Sequence, residues 1–243
     1  MQKQYKILGI IPARGGSKSI PKKNIALLLG KPLIYYTLRE AAKSRLLDAF
    51  IVSTDDEEIA EIAKTLGADV PFLRPKELAQ DLTPDLPVFQ HALSWLKENR
   101  GWDPEILVNL RPTSPLRMAD DIDKVISFIL ETGCDSVRTL SRGKTPFKMW
   151  YFDDNEYKIS PLMSTEHYEK LGTDVPRQLL PQNIYCQNNM VDATRTKFIK
   201  DGRIYGPDIR GLIIEARRST DIDGPDDLEK AAYFMTKLGL GPD

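Results

Sequence analysis

The stretch that most limits how this chain can fold is residues 5–24. Tyr5 to Ile11 is an apolar run, rich in Ile and Leu, with no charge after Lys6. Such a run reads as a strand buried on both faces, the kind found inside a parallel sheet covered by helices. It leads directly into Pro12-Ala13-Arg14-Gly15-Gly16-Ser17-Lys18-Ser19-Ile20-Pro21-Lys22-Lys23-Asn24. Glycines let a backbone approach a ligand closely. Successive amides in such a loop can form an anion-binding nest. Arg14, Lys18, Lys22 and Lys23 can neutralise phosphate charge, and Arg can do so with two parallel hydrogen bonds. A buried strand feeding a basic, Gly-containing loop suits a nucleoside triphosphate. The plain alternative is a solvated basic turn. The loop is neither a P-loop, since no Gly-Lys-Ser/Thr follows at the required spacing, nor Gly-x-Gly-x-x-Gly.

The chain after the loop alternates helix and strand. A helix starts near Pro32 and buries Leu33, Tyr36, Leu38, Ala41 and Ala42. Phe50-Ile51-Val52 is a second strand. It ends in Ser53-Thr54-Asp55-Asp56, where Ser53 or Thr54 caps a helix over about 56–66 with Ile59, Ile62, Ala63 and Leu66 on one stripe. Gly67 closes that helix, and Val70 to Leu73 forms a third, short strand. A Pro-containing loop precedes a helix over 87–99 burying Phe89, Ala92, Leu93 and Leu96. Ile106 to Leu110 is a buried strand running into Arg111-Pro112-Thr113-Ser114-Pro115-Leu116-Arg117. A helix over 120–131 (Ile122, Val125, Ile126, Ile129, Leu130) and a strand over 135–140 follow. This alternation predicts an α/β fold with a mostly parallel sheet flanked by helices. Ligands of such sheets sit beyond the carboxyl ends of the strands. Arg14–Asn24, Ser53–Asp56 and the segment after Leu73 all fall at that edge.

The pattern changes over 141–183. Four prolines, the aromatic run Met149-Trp150-Tyr151-Phe152 and a turn at Asp153-Asp154-Asn155 indicate an inserted β-rich subdomain or lid. Its aromatics suit either an interface or an ordinary core. Leu212-Ile213-Ile214 returns as a strand before Ser219-Thr220-Asp221-Ile222-Asp223-Gly224-Pro225. Asp221 and Asp223, two apart in an extended segment, can face one side and ligate Mg²⁺, a hard ion that keeps substrate phosphates as co-ligands. Pro225, Asp226 and Asp227 suit the first turn of a final helix.

Composition narrows the function classes. At 243 residues the chain is one large domain or a domain with an insertion. A net charge of −1 gives no bulk attraction to nucleic acid or membrane. Two cysteines, Cys134 and Cys186, indicate neither a disulfide framework nor a Cys metal site. The N-terminus lacks the apolar core of a signal peptide, and no apolar run reaches the roughly 20 residues of a membrane span. A cytoplasmic protein is expected.

The motifs Ile10–Asn24, Arg74–Asp81, Arg111–Arg117, Tyr185–Asn189 and Ser219–Leu228 closely resemble those of the sugar-acid cytidylyltransferases, which include the acylneuraminate, legionaminic, pseudaminic and 3-deoxyoctulosonic acid enzymes. The resemblance spans essentially the whole chain. It implies a glycosyltransferase-A-like nucleotidyltransferase fold over 1–243, with the 141–183 insertion building a homodimer. It implies transfer from CTP to a 2-keto-3-deoxy sugar acid, giving a CMP-sugar and pyrophosphate with Mg²⁺ as cofactor. It places nucleotide contacts at Ala13, Arg14, Gly15, Gly16, Ser17, Lys18, Lys23, Asn24, Arg74 and Thr83. Arg14, Lys23, Asp221 and Asp223 would be catalytic, the two aspartates as metal ligands. Sugar contacts fall at Arg111, Thr113, Ser114, Lys148, Arg177, Gln178, Gln187 and Asn188. Two departures stand out. Arg111 replaces a common glutamine, and it either meets a substrate anion or is paired within the protein. Asn189 stands where the family usually has glycine, and Asn tolerates left-handed φ. Two other functions fit the residues: a guanylyl- or uridylyltransferase acting on a sugar 1-phosphate, and a non-catalytic sugar-nucleotide binding protein.

Overall fold

The computed structural model describes residues 6–143, 149–152, 159–162, 176–179 and 183–242; of residues 150–152, 159, 161 and 177 only the backbone is described. The chain divides into two compact units, Met1–Leu140 with Gln187–Asp243, and Ser141–Cys186.

The larger unit is built on β1 (Ile7–Pro12), whose alternate residues enter two different cores. Ile7 and Ile11 pack with Ile34, Leu38, Val52, Ile59, Ile122 and Ile126 on one side of the sheet. Leu8 and Ile10 pack with Val88, Phe89, Ala92 and Leu96 on the other. This two-sided burial is why the strand is apolar at successive positions. β1 pairs in parallel with β4 (Ala49–Ser53) and with β5 (Ile106–Asn109). The remaining elements are β2 (Leu27–Leu28) and β3 (Lys31–Pro32), a short antiparallel pair, then β6 (Ser136–Arg142), β9 (Tyr185–Arg195) and β10 (Ile209–Ile213). The main sheet runs β10-β6-β9-β5-β1-β4 among the described residues, with β9 antiparallel to β5 and β10 parallel to β6.

Helices α1 (Leu33–Lys43), α2 (Glu57–Thr65) and α4 (Ala119–Thr132) contribute to the first core. Helix α3 (Asp85–Arg100) and the short α5 (Thr196–Lys200) supply the second. The last helix, α6 (Pro225–Leu238), forms a third cluster in which Ala231 and Met235 meet Ile20, Leu116 and Ile222. The four apolar residues expected on α3 are all buried.

Several local expectations are corrected. Ala42 and Leu130 are exposed, and the buried faces of α1 and α4 instead take in Ile34 and Glu40, and Asp121 and Asp123. Glu40 and Asp123 can be buried because each has partners: Asp123 accepts from Ser44 Oγ at 2.6 Å and from the Arg45 and Leu46 amides. Neither Ser53 nor Thr54 caps α2; Asp56 does, accepting from the Glu58 and Ile59 amides. Val70–Leu73 is not a strand. Only Asp69 and Leu73 make isolated parallel bridges, because Pro71 has no N–H for a ladder. The antiparallel β9 is not signalled by its mixed composition, Tyr-Cys-Gln-Asn-Asn-Met-Val-Asp-Ala-Thr-Arg.

The smaller unit contains β7 (Trp150–Phe152) and β8 (Ile159–Pro161), paired antiparallel, and a single turn of 3-10 helix at Arg177–Leu179. The expected turn at 153–155 lies outside the described residues.

Candidate active site

The registers bring functional segments to one edge of the sheet. Pro12 is opposite Ser53 and Ile10 opposite Asn109, so β1, β4 and β5 end together. Asn109 is opposite Asp192 on antiparallel β9, so the residues just before Asp192 lie level with those just after Asn109. A cleft of about 720 Å³ opens at this edge.

Its first wall is the loop after β1. The Gly15 amide donates to Asp55 Oδ1 at 3.0 Å, and the Ser17 amide to Gly15 O at 3.0 Å. These two amides of the expected nest are therefore engaged within the protein. A Cβ on Gly15 would stand 2.8 Å from Asp56 Cβ, whereas one on Gly16 would meet nothing within 4 Å. Ala13 is fully buried and its amide bonds Ser53 O, which fixes where the loop departs. Arg14 Nη1 donates to Gln80 O at 2.9 Å and to Asp81 Oδ1 at 3.1 Å, and Lys18 Nζ lies 2.5 Å from Asp81 Oδ2. Lys18 pairing holds the Asp81 carboxyl below its usual range, with Arg14 adding to the effect. Lys22 turns away to Asp56 and Glu58. Asn24 is buried and donates to Arg14 O at 2.9 Å, so it holds the loop rather than facing the cleft with its full amide.

Arg74 lies at the junction between this loop and the segment after β4. Its amide bonds Thr54 O, and its guanidinium is only 5% exposed as a residue, 3.7 Å from Asp55. Nε and Nη2 have no hydrogen-bond partner. Burial lowers its pKa, an effect that Asp55 opposes and Arg14 reinforces. Donors buried without acceptors are costly, so this group is prepared for a ligand with acceptor atoms. Thr83 lines the same region, its amide bonded to Gln80 O.

The second wall is the turn after β5. Arg111 is ion-paired with Asp85 at the start of α3, which takes the protein-paired alternative, while its Nε has no partner. Thr113 lines the cleft and its carbonyl accepts from the Ile222 amide at 2.8 Å. Ser114 is fully buried with Oγ donating to Asn189 O at 3.3 Å, so it braces the wall instead of reaching the cleft. Behind it, Arg117 donates to Met190 O, Thr37 Oγ1 and Arg111 O. Burial lowers the Arg117 pKa to about 10, with Asp121, Glu40 and Asp221 opposing the shift.

Asn188 is likewise buried, its amide donating to Ser219 Oγ at 3.1 Å, and the neighbouring Asn189 is the one that lines the cleft. Gln187 is exposed and donates to Asn189 Oδ1 at 2.6 Å. Gln178 is exposed in the smaller unit, Arg177 lies in its 3-10 turn, and Lys148 is outside the described residues.

Asp221 and Asp223 close the cleft, separated by Ile222, which is fully buried. Lys23 Nζ donates to Ile222 O at 2.6 Å and lies 3.6 Å from Asp223. Asp221 Oδ1 is buried with no hydrogen-bond partner. This orphaned oxygen and the exposed Asp223 carboxylate are hard donors and fit a divalent cation of the Mg²⁺ type. No cluster of three or more His, Cys, Asp or Glu gathers among the described residues, so such an ion would draw its other ligands from water and phosphate. Asp226 and Asp227 belong to α6: Asp227 Oδ2 accepts from the Asp223 and Gly224 amides.

Asp81, Asp85 and Asn189 are cleft residues that no sequence motif singled out as ligands. The two aspartates carry no signal, since their cationic partners are distant in sequence. Asn189 had one, its place at a turn requiring positive φ, observed at 55°.

Comparison with known proteins agrees with this geometry. The family model described as cytidylyltransferase matches residues 8–192. A pseudaminic acid cytidylyltransferase of Campylobacter jejuni is 31% identical over 228 residues, covering 93% of this chain and 94% of that protein. An N-acylneuraminate cytidylyltransferase of Escherichia coli is 41% identical over 241 residues, covering 96% of this chain and 52% of that longer protein. The fold matches a CMP:2-keto-3-deoxy-manno-octonic acid synthetase solved with CTP, with a TM-score of 0.67 at 16% identity, covering 96% of this chain and 99% of the other. Strand order, a basic loop after β1, and full-length likeness to such enzymes converge on one conclusion: this chain belongs to the sugar-acid cytidylyltransferase family.

Proposed function

We propose that this enzyme couples CTP to a nine- or eight-carbon 2-keto-3-deoxy sugar acid, giving a CMP-sugar and pyrophosphate. The observation that carries the reading is one cleft lined both by buried Arg74, whose Nε and Nη2 make no hydrogen bond, and by the Lys23–Asp221–Asp223 group. Arg74 suits the oxygen and nitrogen acceptors of a pyrimidine. Arg14, Lys18 and Lys23 suit the triphosphate, whose charge would exchange for that of Asp81 on Arg14 and Lys18. The anomeric hydroxyl oxygen attacks the α-phosphorus in line. The new O–P bond forms as the bond to the β-phosphate oxygen breaks, and the hydroxyl proton leaves to solvent. Such transfer depends on positioning and charge stabilisation, which these cations supply. Mg²⁺ on Asp221 and Asp223 would neutralise phosphate charge and sharpen the nucleophile when bound. Arg111, ion-paired with Asp85, and Thr113 form the wall on the sugar side.

The finer attributes of the reading rest on chemistry. Cys134 and Cys186 are both free, which fits a reducing cytoplasm. The unit Ser141–Cys186 would build a homodimer; its exposed Met149, Leu162 and Leu179 suit an interface.

The test is pyrophosphate release with Mg²⁺ across CTP, GTP, UTP and ATP, each with sialic-type and 3-deoxyoctulosonic acids and with hexose 1-phosphates. Turnover confined to CTP and a keto sugar acid is expected. Turnover with GTP or UTP and a sugar phosphate would overturn the assignment.

A further inference from the structure

Asn189 is one of three non-glycine residues with positive φ among the described residues, at 55°. Asn occupies that region at less cost than most side chains, but glycine does so at less still. The side chain present here lies in the cleft and is held at both ends. Its Nδ2 donates to Asp221 Oδ2 at 3.2 Å, and its Oδ1 accepts from Gln187 Nε2 at 2.6 Å. The Asp221 carboxylate can only accept, so the Asn189 NH₂ faces it and the Asn189 amide oxygen is left to accept from Gln187 Nε2. The backbone is fixed too, since Asn189 O accepts from Ser114 Oγ. Asp221 therefore has one oxygen engaged, while the other is buried with no hydrogen-bond partner. Next to it, Ile222 is buried and tied to Thr113 O, so the carboxylate has little freedom except rotation about its own side-chain bonds.

We propose that Asn189 is a positioning residue that, steered by Gln187, locks the Asp221 carboxylate with Oδ1 presented to a divalent cation. This rests on the proposed cation-binding role of Asp221. The physical logic is that of an outer-shell partner: a hydrogen bond to the non-coordinating oxygen fixes the direction of the coordinating one, and losing such a partner typically costs about 10–100-fold in metal affinity. A glycine at 189 keeps the backbone and removes the lock. It therefore separates stability from metal affinity, which a merely structural residue would not.

The experiment measures Mn²⁺ binding by electron paramagnetic resonance in the presence of CTP, the Mg²⁺ concentration for half-maximal rate, and the melting temperature. It does so for the full chain and for Asn189→Gly, Gln187→Ala and Asp221→Asn. Asn189→Gly is expected to melt at or above the parent temperature while its Mn²⁺ affinity falls by about tenfold or more and its Mg²⁺ requirement rises in step. Gln187→Ala, on an exposed residue, shifts both in the same direction but less. Unchanged Mn²⁺ affinity in Asn189→Gly, with Asp221→Asn having lost binding, would overturn the positioning role alone. A lower melting temperature for Asn189→Gly with the Mg²⁺ requirement unchanged would assign it a structural role and also overturn the proposal. Full Mn²⁺ affinity in Asp221→Asn would instead overturn the cation reading on which it rests.

Discussion

The loop 12–24 after β1 and the turn 111–117 after β5 leave the sheet at the same edge and both carry arginines, yet their charges are used in opposite ways. Arg14 and Lys18 hold Asp81 through side chains that are 35% and 85% exposed. Ion pairs of that kind are worth about 0–1 kcal/mol. A triphosphate can replace Asp81 at little cost, so these cations are available to a ligand. Arg117 is 2% exposed and spends its hydrogen bonds on Met190 O, Thr37 Oγ1 and Arg111 O. It ties β9, α1 and its own turn together; its Nε has no hydrogen-bond partner, but the residue does not line the cleft. Residue type alone does not separate ligand from scaffold; the partners of each group and its access to the cleft do.

Four substitutions test that contrast. The largest effect is expected for Arg117→Ala, which leaves two carbonyls, a hydroxyl and a charge cavity unsatisfied in the interior. It should cost about 3–5 kcal/mol of stability, read by denaturant unfolding. A loss under about 1 kcal/mol would place Arg117 with the replaceable group. Next is Lys23→Ala, from the exposed-loop side of the comparison. Its kcat should fall about 10²-fold, or roughly 2.7 kcal/mol of transition-state stabilisation, with stability changed by no more than about 1 kcal/mol. A protein that keeps its rate but melts early would move Lys23 to the scaffold. The smallest effect contrasts neighbours within the loop. Gly15→Ala forces a methyl against Asp56, the cap of α2, and should cost about 1–3 kcal/mol; Gly16→Ala meets open space and should stay within about 0.5 kcal/mol. Parallel melting curves check it, and equal shifts would show that the contact with Asp56 does not constrain the loop.

Much of the frame is legible in the residues because it is locally encoded. β1 is an uninterrupted apolar run because both of its faces meet cores, and α3 has the helical spacing of Phe89, Ala92, Leu93 and Leu96. Asp227 caps α6 three residues after Gly224, a spacing visible in the chain. Other features escape that logic. Val70–Leu73 has strand-like composition, but Pro71 prevents a regular ladder. β9 is the opposite case: its polar residues sit within the sheet because they find partners from distant segments, as Asn188 does with Ser219 and Asp192 with Tyr205. Burial raises the Asp192 pKa, with Arg138 and Arg111 opposing the shift, an environment no local pattern announces.

By itself, the sequence determined the α/β frame, the basic loop after the first strand and the pair of aspartates near the end, because each is set by neighbours a few residues away. Only the tertiary structure decided which polar groups are committed. Arg111 is matched by Asp85, 26 positions away, and Arg14 by Asp81, 67 positions away. Asn189 reaches Asp221 across 32 positions, and Ser114 and Asn188 turn out to brace the wall that was expected to use them for the sugar. Hydrogen bonds and ion pairs act over a few ångströms, so their partners are chosen by how strands and turns are brought together at the sheet edge, which spacing along the chain does not specify.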